Sequence, residues 1–265
     1  MNKSSSTLEN AVQLLDCFTV EEPFLGVREA ARRVGISSSS AGRVLVSLKE
    51  LGLLRQDPET RKYTLAGKVL AWAEVYSATL DIRNLAQPFI HDLQRITGET
   101  ISLYVLEGTN RVCVARLESD QNVRVVAWIG RNIPIYAGSA GKLFLAYLTD
   151  EEREDVLKKT DLVPMTPFTI TDVEELRHQA KLIVNQGFAI SHKEWTIDAS
   201  GVAAPIFNQR GRMIAALTVS GPTQRFDPIN LEKMTTVCTR AALQISRLLG
   251  YSGDPHSIIS DRPAL

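Results

Sequence analysis

Residues 27–54 read V-R-E-A-A-R-R-V-G-I-S-S-S-S-A-G-R-V-L-V-S-L-K-E-L-G-L-L and decide how the N-terminal region folds. From Val27 to Val34 the apolar residues recur at the i, i+3, i+4, i+7 spacing of one helix face. Gly35 lets the chain turn tightly, and the serines at 37–40 supply an N-cap for a second helix. The stretch therefore predicts a helix-turn-helix.

The second helix has one apolar side and one small, polar side. The apolar side is expected to pack on the core through Ala41, Val44, Leu45 and Leu48, with Leu51 closing the helix onto it. The opposite side carries Ser38, Ser39, Gly42, Arg43, Val46 and Ser47. A helix that lies in the major groove of DNA needs a face of this kind.

A β wing is predicted directly after this helix, because residues 55–65 read R-Q-D-P-E-T-R-K-Y-T-L. Leu53–Arg55 and Lys62–Leu65 are expected to form short strands, joined by a turn at Gln56–Thr60. Three basic side chains would lie on or beside this hairpin, within reach of phosphate oxygens: Arg55, Arg61 and Lys62.

Positive charge is concentrated in this region. Residues 26–68 contain nine basic and four acidic side chains, a local charge of +5, whereas the whole chain has 30 of each and no net charge. The local excess favours a surface that binds nucleic acid. The alternative is a small helical core with a surface hairpin that binds no ligand.

Length and composition narrow the class of protein. At 265 residues, two domains are expected. The N-terminus has no apolar signal core, and no stretch approaches the roughly 20 apolar residues of a membrane span. Cys17, Cys113 and Cys238 are widely spaced, which indicates buried thiols in a reducing compartment. We therefore expect a cytoplasmic protein that contacts no membrane.

The rest of the chain mixes helical and strand-like segments. Predicted helices span residues 7–18, 67–80, 81–97, 141–148, 150–159, 171–186 and 228–249. Predicted strands span residues 99–106, 111–117, 122–129, 188–195, 201–207 and 213–220. Their order indicates an α+β fold, in which helices flank an antiparallel sheet of about six strands.

Three of these helices carry more specific predictions. Helix 81–97 is expected to pack through Leu85, Phe89, Leu93 and Ile96, and helix 171–186 to begin with a capping box of Thr171 and Glu174. Helix 67–80 is unusually apolar around its circumference at Trp72, Val75 and Tyr76. Such a helix needs a partner, either the same helix of a second subunit or the chain's own domains.

Four motifs resemble the isocitrate-lyase-regulator (IclR) family of transcription regulators, from about Thr7 to Leu249. They are S-S-S-S-A-G-R-V-L-V-S-L-K-E-L-G-L-L, the wing ending K-Y-T-L, A-G-S-A-G-K-L-F-L-A-Y-L, and Q-G-F-A-I-S-H-K-E-W followed by G-V-A-A-P-I-F and A-A-L-T-V-S-G-P. Any one motif is weak, whereas four in this order are fairly specific.

The resemblance implies a domain organisation and a function. It implies an N-terminal winged helix-turn-helix (1–66), a linker helix (67–80) and a C-terminal GAF-like effector domain (81–250). Residues 251–265, which are polar and rich in proline, are expected to form a flexible tail. Family members bind operator DNA as homodimers or homotetramers and respond to a small organic or aromatic acid. No cofactor is implied.

The resemblance also implies two sets of contact residues. The DNA-contacting positions fall on Ser38, Ser39, Arg43, Arg61 and Lys62, to which the hairpin adds Arg55. The effector-binding positions fall on Gly138, Ser139, Ala140, Ser191, Glu194, Gly201, Thr218 and Ser220. Some relatives favour an acidic residue near Ser191, so a serine there changes the polarity and leaves its part in binding open.

Physical reasoning supports this effector pocket. A loop of small residues at a helix N-terminus leaves backbone N–H groups free and adds the helix dipole, which suits a carboxylate. Thr218 and Ser220 lie two residues apart on a predicted strand, so both hydroxyls can point into one cavity. The alternative is that A-G-S-A-G-K is only a tight helix entry, with glycine and alanine placed for close packing.

An enzyme is the weaker hypothesis. His192 and Glu194 form the only local acid–base cluster, but no metal-ligand spacing supports them, and Ser139 lacks the spacing of a nucleophile elbow. We therefore predict no metal site and no catalytic residue. The favoured function is a DNA-binding regulator whose operator affinity depends on an effector, and a DNA-binding dimer without ligand sensing remains the other alternative.

Overall fold

The computed structural model describes residues 3–19, 21–78, 81–126 and 128–253. The chain divides into two compact units, residues 1–80 and residues 81–265. The elements of the first unit are α1 (Lys3–Asp16), α2 (Val27–Val34), α3 (Ser38–Glu50), β1 (Leu54–Gln56), β2 (Tyr63–Leu65) and α4 (Lys68–Ala78).

The first unit folds as the sequence predicts, with two helices joined by a tight turn and followed by an antiparallel hairpin. Gly35 ends α2 with a φ of 75°, a left-handed conformation that favours glycine. Ser37 caps α3 by accepting a hydrogen bond from the Ser40 N–H. The three helices and the hairpin bury one apolar core: Leu14, Ala30, Ala31, Ala41, Leu45, Leu48, Leu53, Leu54 and Tyr63.

Some details of the first unit differ from the prediction. Leu51 does not close α3 onto the core, because it is 59% exposed and the chain turns at Gly52 with a φ of 76°. This turn places Leu53 and Leu54 in the core instead. The hairpin strands are shifted by one residue from the predicted ones, and α1 lies nearer the N-terminus than predicted.

The second unit contains a six-stranded antiparallel sheet and five α-helices within its described residues. Its strands are β3 (Thr100–Glu107), β4 (Asn110–Leu117), β5 (Asn132–Pro134), β6 (Ala189–His192), β7 (Ala199–Phe207) and β8 (Met213–Pro222). Its helices are α5 (Asp81–Thr97), α6 (Ser139–Tyr147), α7 (Asp150–Lys159), α8 (Val173–Gln186) and α9 (Pro228–Leu248).

The strand order is β5-β4-β3-β8-β7-β6, so the first and last halves of the unit meet where β3 pairs with β8. Helices α5 and α9 pack against each other and the sheet, and α6 packs with α8 against the strands. The larger core contains much of α6, together with Tyr104, Cys113, Ala203 and Ala216 from the sheet. This arrangement confirms the α+β fold with flanking helices.

One predicted strand is wrong. The described part of residues 122–129 forms no strand, and the sixth strand is β5, which pairs with β4. Side chains satisfy carbonyl groups of this segment: the Thr100 hydroxyl donates to Val125 O, and Arg225 donates to Val123 O. These bonds take the place of a strand partner.

Two local predictions in the second unit are also wrong. Helix α5 buries Ile82, Ala86, Ile90 and Leu93, whereas Ile96 is exposed, so only Leu93 of the predicted set is fully buried. Helix α8 is capped by Asp172, which accepts from the Glu175 N–H, because the helix begins two residues later than predicted. The capping box occurs instead on α7, between Thr149 and Glu152.

Two predictions from composition have partial outcomes. Within the described ranges, no helix is both long and apolar enough to cross a membrane. Cys113 and Cys238 are buried free thiols, and Cys17 is half-buried. Of the tail predicted to be flexible, residues 254–265 lie outside the described part of the chain.

Candidate functional site

The first candidate site is the outer face of α3 with the adjacent hairpin. All six side chains predicted to contact DNA are exposed there. We call them the α3–wing surface: Ser38, Ser39, Arg43, Arg55, Arg61 and Lys62. The folding of the unit thus brings together residues that are up to 24 positions apart in the chain.

The basic side chains of the α3–wing surface are not neutralised by ion pairs, although Arg55 contributes, after the hydrogen bonds from Thr60, to the lowered pKa of Asp57. No ion pair among the described residues involves Arg43, Arg55, Arg61 or Lys62. On α2, in contrast, Glu29 pairs with Arg32 at 2.7 Å and with Arg33 at 2.8 Å. The hydrogen bonds from Arg32 and Arg33 lower the pKa of Glu29 to about 2. The α3–wing surface therefore keeps its positive charge.

The tip of the wing is fixed by its own acidic residue. Asp57 Oδ1 accepts from the Thr60 N–H at 2.7 Å, the Thr60 hydroxyl at 2.8 Å and the Glu59 N–H at 3.1 Å. These bonds, chiefly those from Thr60, lower the pKa of Asp57. Arg61 follows with a left-handed φ of 58°, and Gln56 donates to its carbonyl oxygen. A rigid turn therefore presents Arg61 and Lys62.

The second candidate site is a cavity between the sheet and the first turn of α6. We call it the sheet–α6 cavity; its volume is about 80 Å³. One water needs roughly 10–15 Å³ of such space, so the cavity has room for several waters or one small molecule. It is lined by Tyr104, Arg111, Val125, Val126, Arg131, Ile133, Gly138, Ser139, Ala140, Ser191, Trp195, Ala199, Ser200, Gly201, Thr218 and Ser220.

Seven of the eight predicted effector positions line this cavity, and Glu194 does not. Glu194 lies behind the loop, where its Oε1 accepts from Lys142 Nζ at 2.5 Å and its Oε2 accepts from the Gly138 N–H at 3.1 Å. Both side chains of the ion pair are buried. Glu194 therefore shapes the wall of the cavity from outside it.

The first turn of α6 contributes backbone donors to the cavity. Gly138 is the N-cap, with a φ of 77° and no side-chain cap. The N–H groups of the first helical residues have no partner within a helix, and Ser139 and Ala140 line the cavity. The helix dipole adds partial positive charge at the same end. This wall therefore suits an anion.

The opposite wall carries hydroxyl groups on neighbouring strands. Thr218 donates to Ser102 O at 3.2 Å, and Ser220 donates to Thr100 O at 3.4 Å, so both oxygens keep lone pairs that can accept. Gly201 pairs with Ser220 across the sheet. A Cβ on Gly201 would lie 3.3 Å from the Ser139 hydroxyl, so glycine keeps this strand close to the loop.

Sequence reasoning missed nine of the sixteen lining residues, among them the aromatic and basic side chains Tyr104, Arg111, Arg131 and Trp195. Arg111 is 4% exposed, and its guanidinium carbon lies 5.5 Å from the centre of the Tyr104 ring and 5.8 Å from that of Trp195. Arg131, which is exposed, lies 5.7 Å from the Trp195 ring. Arg111 lies two residues before Cys113 on β4, so strand alternation could have placed both on one face, but its burial beside Tyr104 and Trp195 depends on tertiary contacts.

The cavity is electropositive. Arg111 and Arg131 are the charged side chains among its described lining residues, and no carboxylate joins them. Burial lowers the pKa of Arg111 and raises that of Tyr104 to about 12. The tyrosine therefore stays neutral at physiological pH, and the charge in the cavity is that of the arginines.

The predicted acid–base cluster does not form. His192 is exposed and its Nδ1 lies 3.0 Å from the Ser200 hydroxyl, whereas Glu194 is buried in its ion pair with Lys142. No group of three or more metal-ligating side chains occurs in the part of the chain that the structure describes.

Two family models match the chain. The model of the IclR helix-turn-helix domain matches residues 7–58. The model described as bacterial transcriptional regulator IclR C-terminal matches residues 74–247. Between them, the two matches include α3, with Arg43, and the whole lining of the sheet–α6 cavity.

Known proteins resemble the chain over most of their length. HTH-type transcriptional regulator KipR of Bacillus subtilis is 32% identical, over 95% of this chain and 100% of that protein. The p-hydroxybenzoate hydroxylase transcriptional activator of Acinetobacter baylyi is 31% identical, over 83% of each chain. A crystal structure of an IclR homolog complexed with 4-hydroxybenzoate, from Microbacterium hydrocarbonoxydans, has a TM-score of 0.78 at 28% identity and covers 92% of this chain and 98% of that one.

The buried ion pair gives a first testable prediction. Lys142→Met leaves the Glu194 carboxylate buried without its cation, so the free energy of unfolding of the second unit should fall by about 3–5 kcal/mol. Urea unfolding measures the change. Lys159→Met, which breaks an exposed ion pair with Asp155, is the control and should change the value by less than about 1 kcal/mol. Equal losses in the two variants would contradict this account.

Proposed function

The chain belongs to the IclR family of bacterial DNA-binding transcription regulators, and from this premise we propose that a small carboxylic acid in the sheet–α6 cavity changes its affinity for operator DNA. The observation that carries the proposal is the composition of the cavity wall. First-turn amides of α6 and two arginines line the cavity, and no described acid opposes them. A negatively charged effector fits that wall.

The α3–wing surface is proposed to bind the operator. Helix α3 would enter the major groove with Ser38, Ser39 and Arg43 towards the bases. The hairpin would hold phosphate oxygens through three exposed basic side chains, Arg55, Arg61 and Lys62. Within the described residues, no ion pair of Arg43, Arg55, Arg61 or Lys62 has to break on binding, which supports both roles.

The effector is proposed to be an aromatic or other small organic acid. Its carboxylate would lie against Gly138, Ser139 and Ala140, and the hydroxyls of Ser191, Thr218 and Ser220 would bind its polar groups. Two of the similar proteins support an aromatic acid, since one is a p-hydroxybenzoate hydroxylase activator and the other binds 4-hydroxybenzoate in its crystal structure. Glu194 is assigned to the loop that forms this site.

Regulation is proposed to act by linkage between the two units of each chain in a homo-oligomer. The operator would bind to the first unit and the effector to the second. By linkage, the factor by which the effector changes the affinity for the operator equals the factor by which the operator changes the affinity for the effector. Helix α4 supports oligomerisation, because Leu70 is 75% exposed, Trp72 55% and Val75 67%. A homodimer or homotetramer that pairs through this helix would bury them.

We further propose that the regulator has no catalytic activity and works in the cytoplasm, where operator DNA is found. No histidine or carboxylate is among the described lining residues of the cavity, which supports the first part. Glu194 is held by Lys142 and Gly138, and it does not meet His192.

The effector proposal predicts a shift in operator affinity. Fluorescence anisotropy with an operator selected from random DNA should show that one acid of a panel of small carboxylates and aromatic acids changes the operator Kd at least about fivefold. Thr218→Val keeps the side-chain shape without the hydroxyl, so it should need more acid for the same shift while its operator affinity without acid is unchanged. Specific operator binding that no acid alters would reject effector regulation.

If α3 reads base edges, removing one of its contacts should weaken binding to the operator more than binding to random DNA. Arg43→Ala should weaken operator binding by roughly 5- to 150-fold, which is the worth of one base contact. Binding to random DNA, measured in the same titration, should change far less. Unchanged operator affinity would remove Arg43 from the reading surface.

If the wing binds phosphates, removing one of its basic side chains should weaken binding to all DNA sequences equally. Lys62→Ala should weaken operator and random DNA equally and reduce the slope of log K against log salt by about 1. Arg32→Ala is the matched control, because Arg32 is already paired with Glu29 on α2, and its slope should not change. A selective effect of Lys62→Ala on the operator would contradict the phosphate role.

A further inference from the structure

Arg111 is a buried cation with an unused donor. Its Nη1 donates to Pro134 O at 2.9 Å and to Ala137 O at 2.5 Å, whereas its Nε has no hydrogen-bond partner. Buried donors without a partner are rare in folded proteins, and a buried charge without a counter-ion is costly. A side chain of this kind in the wall of a cavity points to a ligand that completes it.

The glycines of the A-G-S-A-G loop make room for this guanidinium. A Cβ on Gly141 would collide with Arg111 Nη1, and a Cβ on Gly138 would lie 3.1 Å from Nη2. The guanidinium therefore lies close against the loop that opens α6. The charged group and the free first-turn amides belong to the same wall, so one ligand anion can reach both.

Two aromatic rings lie close to the guanidinium of Arg111. Tyr104 and Trp195 lie within 6 Å of its carbon, at cation–π distance. Nη1 is occupied by the two carbonyl groups of the loop. The remaining edge, Nε with Nη2, is the planar fork that accepts a carboxylate through two parallel hydrogen bonds.

We propose that Arg111 binds the carboxylate of the effector through its Nε–Nη2 edge and makes the cavity select acids over their uncharged analogues. This inference rests on the proposed function, since it concerns the same cavity. Glu194 is the nearest carboxylate behind the loop, but it is engaged by Lys142 and Gly138. Glu194 attracts Arg111 electrostatically but forms no ion pair with it, so the effector would supply the carboxylate that contacts Arg111.

The test compares each acid with its amide, which has nearly the same shape and no charge. Calorimetry on the full chain uses 4-hydroxybenzoate with 4-hydroxybenzamide, and benzoate with benzamide. In Arg111→Gln, the preference for the acid should fall by about 10- to 100-fold, as expected for a lost charge-assisted hydrogen bond, with little change for the amide. Arg111→Lys, which keeps the charge, should retain part of the preference.

Arg116→Gln is the matched control, because Arg116 lies on the same strand as Arg111 and also over a tryptophan ring, Trp128, but outside the cavity. It should keep the preference for the acid. A measurement on the wild type does not depend on whether the variants fold: the nitrogen-15 signal of the Arg111 Nε–H should move when 4-hydroxybenzoate is added and stay in place with 4-hydroxybenzamide.

The outcomes separate this inference from the proposed function. If an acid binds and shifts operator affinity, but Arg111→Gln keeps the preference or the Nε–H signal does not respond, the role of Arg111 is wrong and effector regulation stands. If neither member of either pair binds the wild type, the inference falls, and the wider panel of acids in the operator assay decides the proposed function independently.

Discussion

The Glu194 carboxylate holds together the two chain segments on which the cavity depends. One oxygen accepts from Lys142 Nζ and the other from the Gly138 N–H, across more than 50 residues of sequence. The pair is buried, where unmatched charge is expensive, so the loop before α6 has little freedom to move away. Because a side chain from outside the cavity fixes Gly138, the following amides remain available inside it.

Two buried cations near the cavity, Lys142 and Arg111, thus have different roles. Lys142 has a carboxylate partner and stabilises the loop, whereas Arg111 has carbonyl partners on one nitrogen and none on Nε. In the first unit the same division separates Arg32 and Arg33, which are paired on α2, from the unpaired bases of the α3–wing surface. In both candidate sites, cations without an ion-pair partner lie where an anionic ligand is proposed to bind.

Sequence patterns correctly predicted the features that depend on interactions between residues close together in the chain. The spacing of apolar residues in α2, the αL glycine Gly35 and the serine cap Ser37 act within a few residues, and the structure confirms them. Where partners come from far along the chain, prediction failed: Val123 and Val125 bond to Arg225 and Thr100 instead of joining a strand. The burial of Arg111 and the position of Glu194 behind the loop likewise depend on tertiary contacts that no spacing records.

The pairing of β3 with β8 also determines the stage of protein synthesis at which the cavity can form. Residues 100–107 have to wait for residues 213–222 to leave the ribosome before the central strands can meet. The first 80 residues complete their own core long before that point, since its contacts close within the unit. A nascent chain therefore passes through a stage in which the helix-turn-helix has folded and the second unit, with its cavity, has not.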